Sequence, residues 1–185
     1  MLIGICGKSG SGKSTISRLI KEYYQDNVEI LDIDKIGHEI YSNEEVIEKM
    51  INHFGSKILT NNMIDRKKLS TIVFQSKEEM NSLTDITWSH MEKIIDSFID
   101  NNKNKIIILD WQLLPLTKFF QMCDFKVLLD IPYEIRKERT MKRDNISDEK
   151  FDEREKASIK YNKKEFDFLI NNIDEIKIRK LVKKI

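Results

Sequence analysis

Cysteine, proline and glycine are scarce in this 185-residue sequence, and each shortage removes a class of explanation. The two cysteines, Cys6 and Cys123, stand far apart with no metal-like spacing, so neither a disulfide framework nor a zinc site organises the fold. Reduced thiols that pack rather than react are expected. Only two prolines occur, and no stretch is biased enough in composition to read as a linker or a repeat. Hydrophobic runs are short. The best of them, 106–109, is stopped by Asp110, far below the roughly 18 residues that a membrane span needs. An excess of one charge is also missing: 32 Lys and Arg against 31 Asp and Glu leave a net charge of +1. That balance argues against a general nucleic-acid or membrane-surface binder. The opening MLIGICGKSG has no basic segment and turns glycine-rich at once, unlike a secretory signal. The expectation is a cytoplasmic protein, a monomer or weak homo-oligomer, with no nucleic-acid or membrane partner.

What remains is a globular balance of 40% hydrophobic and 34% charged residues. A chain of this length hides roughly 70% of the surface its unfolded form exposes, enough for one domain over 1–185. Short apolar runs at 2–6, 28–31, 106–109, 126–129 and 168–170 predict five strands. Between them, Ile16, Leu19, Ile20 and Tyr23 recur at helical spacing. Ser76 with Glu79 spells a capping box that opens a helix over 77–101. Pro132 suits the first turn of a helix reaching 143, and Ser147 before Asp148 and Glu149 caps another. The tail 177–184 reads as an amphipathic terminal helix. Strands alternating with helices imply right-handed crossovers, hence an α/β fold with a parallel central sheet flanked by helices.

Half of the six glycines crowd into one loop, Gly7-Lys8-Ser9-Gly10-Ser11-Gly12-Lys13-Ser14-Thr15. This satisfies G-x-x-x-x-G-K-[ST], with a strand before it and an amphipathic helix after it. Small residues let successive backbone N–H groups turn inward onto phosphate oxygens, and the helix adds its positive dipole end. Lys13 is placed to reach the β- and γ-phosphates, and the Ser14 hydroxyl to ligate Mg²⁺. Thr15 is as well suited to bonding the loop backbone, and Lys8 reads as a solvated side chain. A nucleoside triphosphate is the expected ligand of the whole loop.

Acidic residues punctuate the strand ends. Asp110 closes 106–109 in the manner of a Walker-B carboxylate and is a second candidate Mg²⁺ ligand. Asp32 and Asp34 end the second strand, at the carboxyl edge where open α/β sheets bind ligands; strand alternation would turn both to one side. Either could take a proton from a substrate hydroxyl as it attacks the γ-phosphate. A helix cap is the other reading of Asp34, and for Asp130, just before Pro132, the cap or turn reading is preferred. Asp34-Lys35-Ile36-Gly37 matches the D-x-x-G of GTPases, but no N-K-x-D follows. Arg136, Arg139 and Arg143 share one helical stripe. A lid aimed at phosphates and a solvated basic face both fit that stripe.

Taken together, these motifs resemble the dephospho-CoA kinase family over nearly the whole chain. GICGKSGSGKST is similar to its nucleotide loop, LDIDKIGHEIY to its acidic segment, and Ile64-Asp65-Arg66 to its L-D-R signature. CDFKVLLDIPYEIRKERTMKRDNIS and FLINN resemble its late strands and lid entry. The resemblance implies ATP-dependent phosphorylation of the ribose 3′-hydroxyl of dephospho-CoA, with Mg²⁺. It implies Asp34 and Arg139 as catalytic residues alongside Lys13, Arg143 on the ATP phosphates, and Arg66 near the acceptor; His90, beside Trp88 on a long helix, fits the acceptor pocket and a hydrogen-bonded packing role equally. It also implies a P-loop kinase build: a nucleotide core at 1–35, 104–138 and 166–185, a helical acceptor region at about 40–100, and a lid at about 139–165. The chain departs from the family pattern at Ser70, Met91, Leu116 and Ser158. Another small hydroxyl acceptor, such as a nucleoside or a shikimate-like alcohol, and a nucleotide switch without kinase activity are the competing readings.

Overall fold

The computed structural model describes residues 1–172, 174 and 180–184, which fall into two compact units, Met1–Ile33 with Asn102–Ile185 and Asp34–Asn101. The first unit is built on five parallel strands: β1 (Leu2–Gly7), β2 (Val28–Asp32), β5 (Ile106–Asp110), β6 (Phe125–Leu129) and β7 (Phe168–Ile170). Their order is β2-β5-β1-β6-β7, with β1 central and bonded to both β5 and β6. All five foreseen strands are present; β1 is buried along its whole length and β5 nearly so, as suits central strands that are apolar on both faces. The helices α1 (Lys13–Tyr24), α6 (Lys118–Met122), α7 (Tyr133–Asp144) and α8 (Asp148–Ala157) complete the unit.

On one side of the sheet, Ile16 and Ile20 of α1 join Ile3, Ile5, Val28, Ile108, Val127 and Ile170 in a continuous buried cluster. Each such side chain contributes about 1.5–3 kcal/mol when fully buried. Leu181 and Val182 belong to the same cluster, and Tyr24 donates its hydroxyl to the Val182 carbonyl at 2.8 Å. Of the terminal helix expected over 177–184, residues 177–179 lie outside the described residues; 180–182 are helical. Cys6 and Cys123 are both buried, and burial raises both thiols, Cys123 to about 12, so they pack and do not react. Trp111 is 7% exposed and belongs to the core.

The second unit holds α2 (Ile33–Glu39, which begins at the last residue of the first unit), α3 (Glu44–Phe54), a hairpin of β3 (Leu59–Thr60) and β4 (Met63–Ile64), α4 (Arg66–Val73) and α5 (Lys77–Asn101). The hairpin is absent from the sequence reading. Its turn residues Asn61 and Asn62 both have positive φ, 51° and 60°, the conformation that asparagine tolerates best in two-residue turns. Side chains cap the helices at the expected residue types. Asn43 accepts from the Val46 N–H, and Asp65 from those of Lys67 and Lys68.

Three local expectations need correction. Ser76 accepts from the Glu78 and Glu79 N–H groups, but the Glu79 carboxylate turns to His53 Nε2, 2.9 Å away, so only half of the capping box forms. Asp130 neither caps α7 nor shapes a turn with its side chain; its carboxylate pairs with Lys163, while Pro132 is the N-cap. The strand ends at Asp32, and Asp34 stands in the first turn of α2, so the strand-alternation argument for it does not apply. Among the described residues no helix is long and apolar enough to cross a membrane.

Candidate active site

β1 delivers the phosphate loop to the carboxyl edge of the sheet, between β5 and β6. Gly12 is the N-cap of α1 with φ 90°, and Gly10 has φ 76°, both in the left-handed region that favours glycine. Space as well as φ demands glycine at position 10. A Cβ there would lie 2.4 Å from the Arg136 carbonyl oxygen and 2.5 Å from Thr140 Oγ1. The loop closes on itself through Ser11 N–H donating to the Lys8 carbonyl at 3.1 Å. Ser11 Oγ is buried and has no partner among the described residues.

The foreseen carboxylate is beside the foreseen lysine. Lys13 Nζ lies 4.0 Å from Asp110 Oδ1, and Ser17 donates to Asp110 Oδ2 at 3.2 Å. Register pairs Asp32 with Asp110 across β2 and β5, bringing two acids to one strand-end site. Burial is the main force that pushes the Asp110 carboxyl up to about 6; the Asp32 charge adds to it, whereas Lys13, Ser14 and Ser17 oppose it. This donor set suits a hard cation. Mg²⁺ is usually held by one or two carboxylates together with substrate phosphates, not by an all-protein cage. Among the described residues no group of three or more His, Cys, Asp or Glu is positioned for a metal.

The arginine stripe divides. Arg136 is 5% exposed, with Nε donating to the Ile131 carbonyl and its terminal nitrogens to Glu155, so it fits neither the phosphate-facing nor the solvated reading. Arg139 is exposed. Arg143 reaches the loop, its Nη2 lying 3.4 Å from Ser9 Oγ, and donates through Nε to Asp144 at 2.7 Å. Asp144 also accepts from Arg154 Nη1, and hydrogen bonds from Arg143 first and Arg154 next hold its carboxyl down at about 2. Lys8 is not a solvated side chain, because Glu155 Oε1 lies 2.6 Å from its Nζ. A cavity of about 280 Å³ opens here, lined by Ser9, Gln112, Phe151, Arg154, Glu155 and Ser158.

In the second unit, Arg66 donates from Nη2 to the His38 carbonyl at 2.8 Å and lies over the Tyr41 ring, 4.6 Å from its centroid. His90 lines a cavity of about 220 Å³ with Ile36, Glu39, Ile40, Asn43 and Ile94. Its Nδ1 is buried, 3.6 Å from Glu45 Oε2. Asp34 is exposed at the start of α2.

Comparison with known proteins decides what this arrangement belongs to. The family model for dephospho-CoA kinase matches residues 1–177. The chain belongs to the dephospho-CoA kinase family. Dephospho-CoA kinase of Aquifex aeolicus is 34% identical over 189 residues, covering 99% of this chain and 94% of the relative. That of Fusobacterium nucleatum is 35% identical over 150 residues, covering 80% and 76%. Among solved structures, dephospho-CoA kinase from Campylobacter jejuni matches with a TM-score of 0.64 at 26% identity, covering 99% of this chain and 94% of its own. TT1252 from Thermus thermophilus shares the fold with a TM-score of 0.81 at 23% identity, covering 100% and 95%.

As a member of this family the protein is an ATP-dependent kinase that phosphorylates dephospho-CoA to coenzyme A. Its first unit brings together Lys13, Ser14, Asp110 and Arg143 of the residues singled out from sequence; its second unit holds Asp34, Arg66 and His90. Three neighbours escaped the sequence reading. Ser17, 1% exposed, interrupts an apolar helical face one turn beyond Lys13, and a small polar residue at that spacing was a usable signal. Arg154 and Glu155 lie in a stretch charged on every side, where no periodicity separates an inward residue from an outward one.

Proposed function

We propose that the kinase binds ATP with its triphosphate on the loop 7–15 and that Asp34 deprotonates the 3′-hydroxyl of dephospho-CoA. The observation that carries this reading is the glycine-strained loop whose Lys13 stands beside the buried Asp110 at the carboxyl edge of a parallel sheet. Backbone N–H groups of the loop and the α1 N-terminus would hold the phosphate oxygens, with Lys13 on the β- and γ-phosphates. Asp110 and Ser14 would hold Mg²⁺, which supplies charge neutralisation on the phosphates when it is bound.

In the transfer step the 3′-oxygen of the acceptor bonds to the γ-phosphorus, the bond from that phosphorus to the bridging oxygen breaks, and ADP leaves. The hydroxyl proton passes to the Asp34 carboxylate, and Arg139 and Arg143 would balance charge on the transferring group. Phosphoryl transfer asks little covalent chemistry of a protein, so positioning and charge account for most of the rate. Arg66 and His90 would contact the acceptor. We propose the cytoplasm as the enzyme's compartment.

The test is ADP release from Mg-ATP with dephospho-CoA, with its 3′-deoxy analogue, with a nucleoside, and with no acceptor. Stimulation by dephospho-CoA alone, with the product phosphorylated at the 3′ position, is expected. Equal release with the 3′-deoxy analogue would mean hydrolysis and would remove Asp34 from the proposed role.

A further inference from the structure

The Glu155 side chain joins three elements. From α8 its Oε1 meets Lys8 Nζ in the phosphate loop at 2.6 Å, and the carboxylate also accepts from Arg136 Nη1 at 2.8 Å and Nη2 at 3.0 Å. Arg136 is itself fixed, with Nε on the Ile131 carbonyl at 2.9 Å and its own carbonyl packed against Gly10 of the loop. Burial alone would raise the Glu155 carboxyl, but the bonds from Arg136 and Lys8 outweigh it and hold the group below its ordinary range. The planar guanidinium fork makes Arg136 the rigid half of this arrangement and Lys8 the adjustable half.

We propose that Glu155 and Lys8 form a strut that seats α8 on the phosphate loop, which makes Glu155 a positioning residue of the kinase and gives Lys8 a role in loop placement instead of triphosphate charge. The proposal rests on the reading that this loop carries ATP. The strut holds next to Ser9 the helix that carries Arg154, and Arg154 shares Asp144 with Arg143. Both members are partly buried, with side chains 25% and 21% exposed, so their attraction is less screened than that of a fully exposed pair. The two ends are unequal. Removing the Lys8 charge leaves Glu155 satisfied by Arg136, whereas removing the Glu155 charge leaves a buried guanidinium without its counter-ion.

Lys8→Met is therefore the informative variant, since it cuts the strut without orphaning a buried charge. Amide hydrogen exchange of the whole ligand-free chain should speed up across 148–157 by about tenfold, the scale of one charge-assisted hydrogen bond. The dissociation constant for ATP should stay within about threefold of the natural protein while kcat falls, and Lys8→Arg should restore both exchange and kcat. Weakening of ATP binding by about tenfold or more with exchange unchanged would overturn the proposal, because Lys8 would then be a phosphate ligand. Unchanged exchange and unchanged kinetics would overturn it too, since the pair would be an idle contact. Lys13→Ala serves as the control for the loop: if it binds ATP as well as the natural protein, the ATP reading fails, and the ligand-free exchange arm still decides the strut. Should Glu155→Gln fold, its exchange effect and that of Lys8→Met should not add.

Discussion

Asp110 is a carboxylate kept where a carboxylate is uncomfortable. A group whose folded pKa, about 6, is raised above its unfolded value stabilises the fold in its protonated form, and that contribution is lost as pH rises through about 6. Asp110→Asn should therefore raise the thermal midpoint of the ligand-free protein at pH 8 and leave it nearly unchanged at pH 4. The difference corresponds to as much as about 3 kcal/mol for a shift of about two units. The same variant should lose most of its turnover, because Asp110, beside Lys13, is the acid proposed to meet the cation. A midpoint shift that is equal at both pH values would show that Asp110 is not raised. Asp34 is the contrasting case, exposed and at a helix start. Asp34→Asn should lower kcat by roughly 10²–10⁴-fold, the usual yield of a positioned general base, with little change in ATP affinity. Isothermal titration beside steady-state kinetics separates the two effects.

At the scale of elements, the phosphate loop and α7 are one construction. The loop passes so close to the Arg136 carbonyl and to Thr140 that Gly10 has no room for a methyl group. Gly10→Ala should push the loop off α7, lowering the thermal midpoint and weakening ATP binding together. Retained ATP affinity would show that the loop holds its shape without α7. The strands and the loop were legible in the sequence because a short apolar run closed by glycine, as in β1, or by a polar residue, as in β2 and β5, has few alternatives. The Asn61–Asn62 hairpin went unread because its strands span only two residues each, too short for any alternation to show. The capping box was half right: Ser76 is local and made its bonds, while Glu79 found a better partner in His53 from another helix.

For the molecule as a whole, ligand linkage gives a direct check on the assignment. A ligand that binds only the folded state stabilises it by about 2.7 kcal/mol at a hundred times its dissociation constant. ATP at that excess should raise the thermal midpoint by several degrees, and Lys13→Ala, measured at the same ATP concentration, should abolish most of the rise. A rise that survives in Lys13→Ala would place the nucleotide elsewhere. Arg66 and His90, proposed above to contact the acceptor, lie in a different compact unit from the phosphate loop, so dephospho-CoA should stabilise Lys13→Ala as well as it does the natural protein.

The sequence alone determined the parallel α/β plan, the phosphate loop with Lys13 and Ser14, and Asp110 at its strand end. These depend on local patterns: apolar period, glycine conformation and the polarity of strand termini. Tertiary structure decided which charges meet. Arg136, Arg139 and Arg143 are alike on one stripe, yet one is buried on Glu155, one is exposed and one reaches Ser9. Lys8 read as solvated until α8, which begins 140 residues later at Asp148, brought Glu155 to it. A charged side chain has no local preference strong enough to choose its partner. That choice is made when distant elements pack and burial leaves each charge either matched or expelled to water.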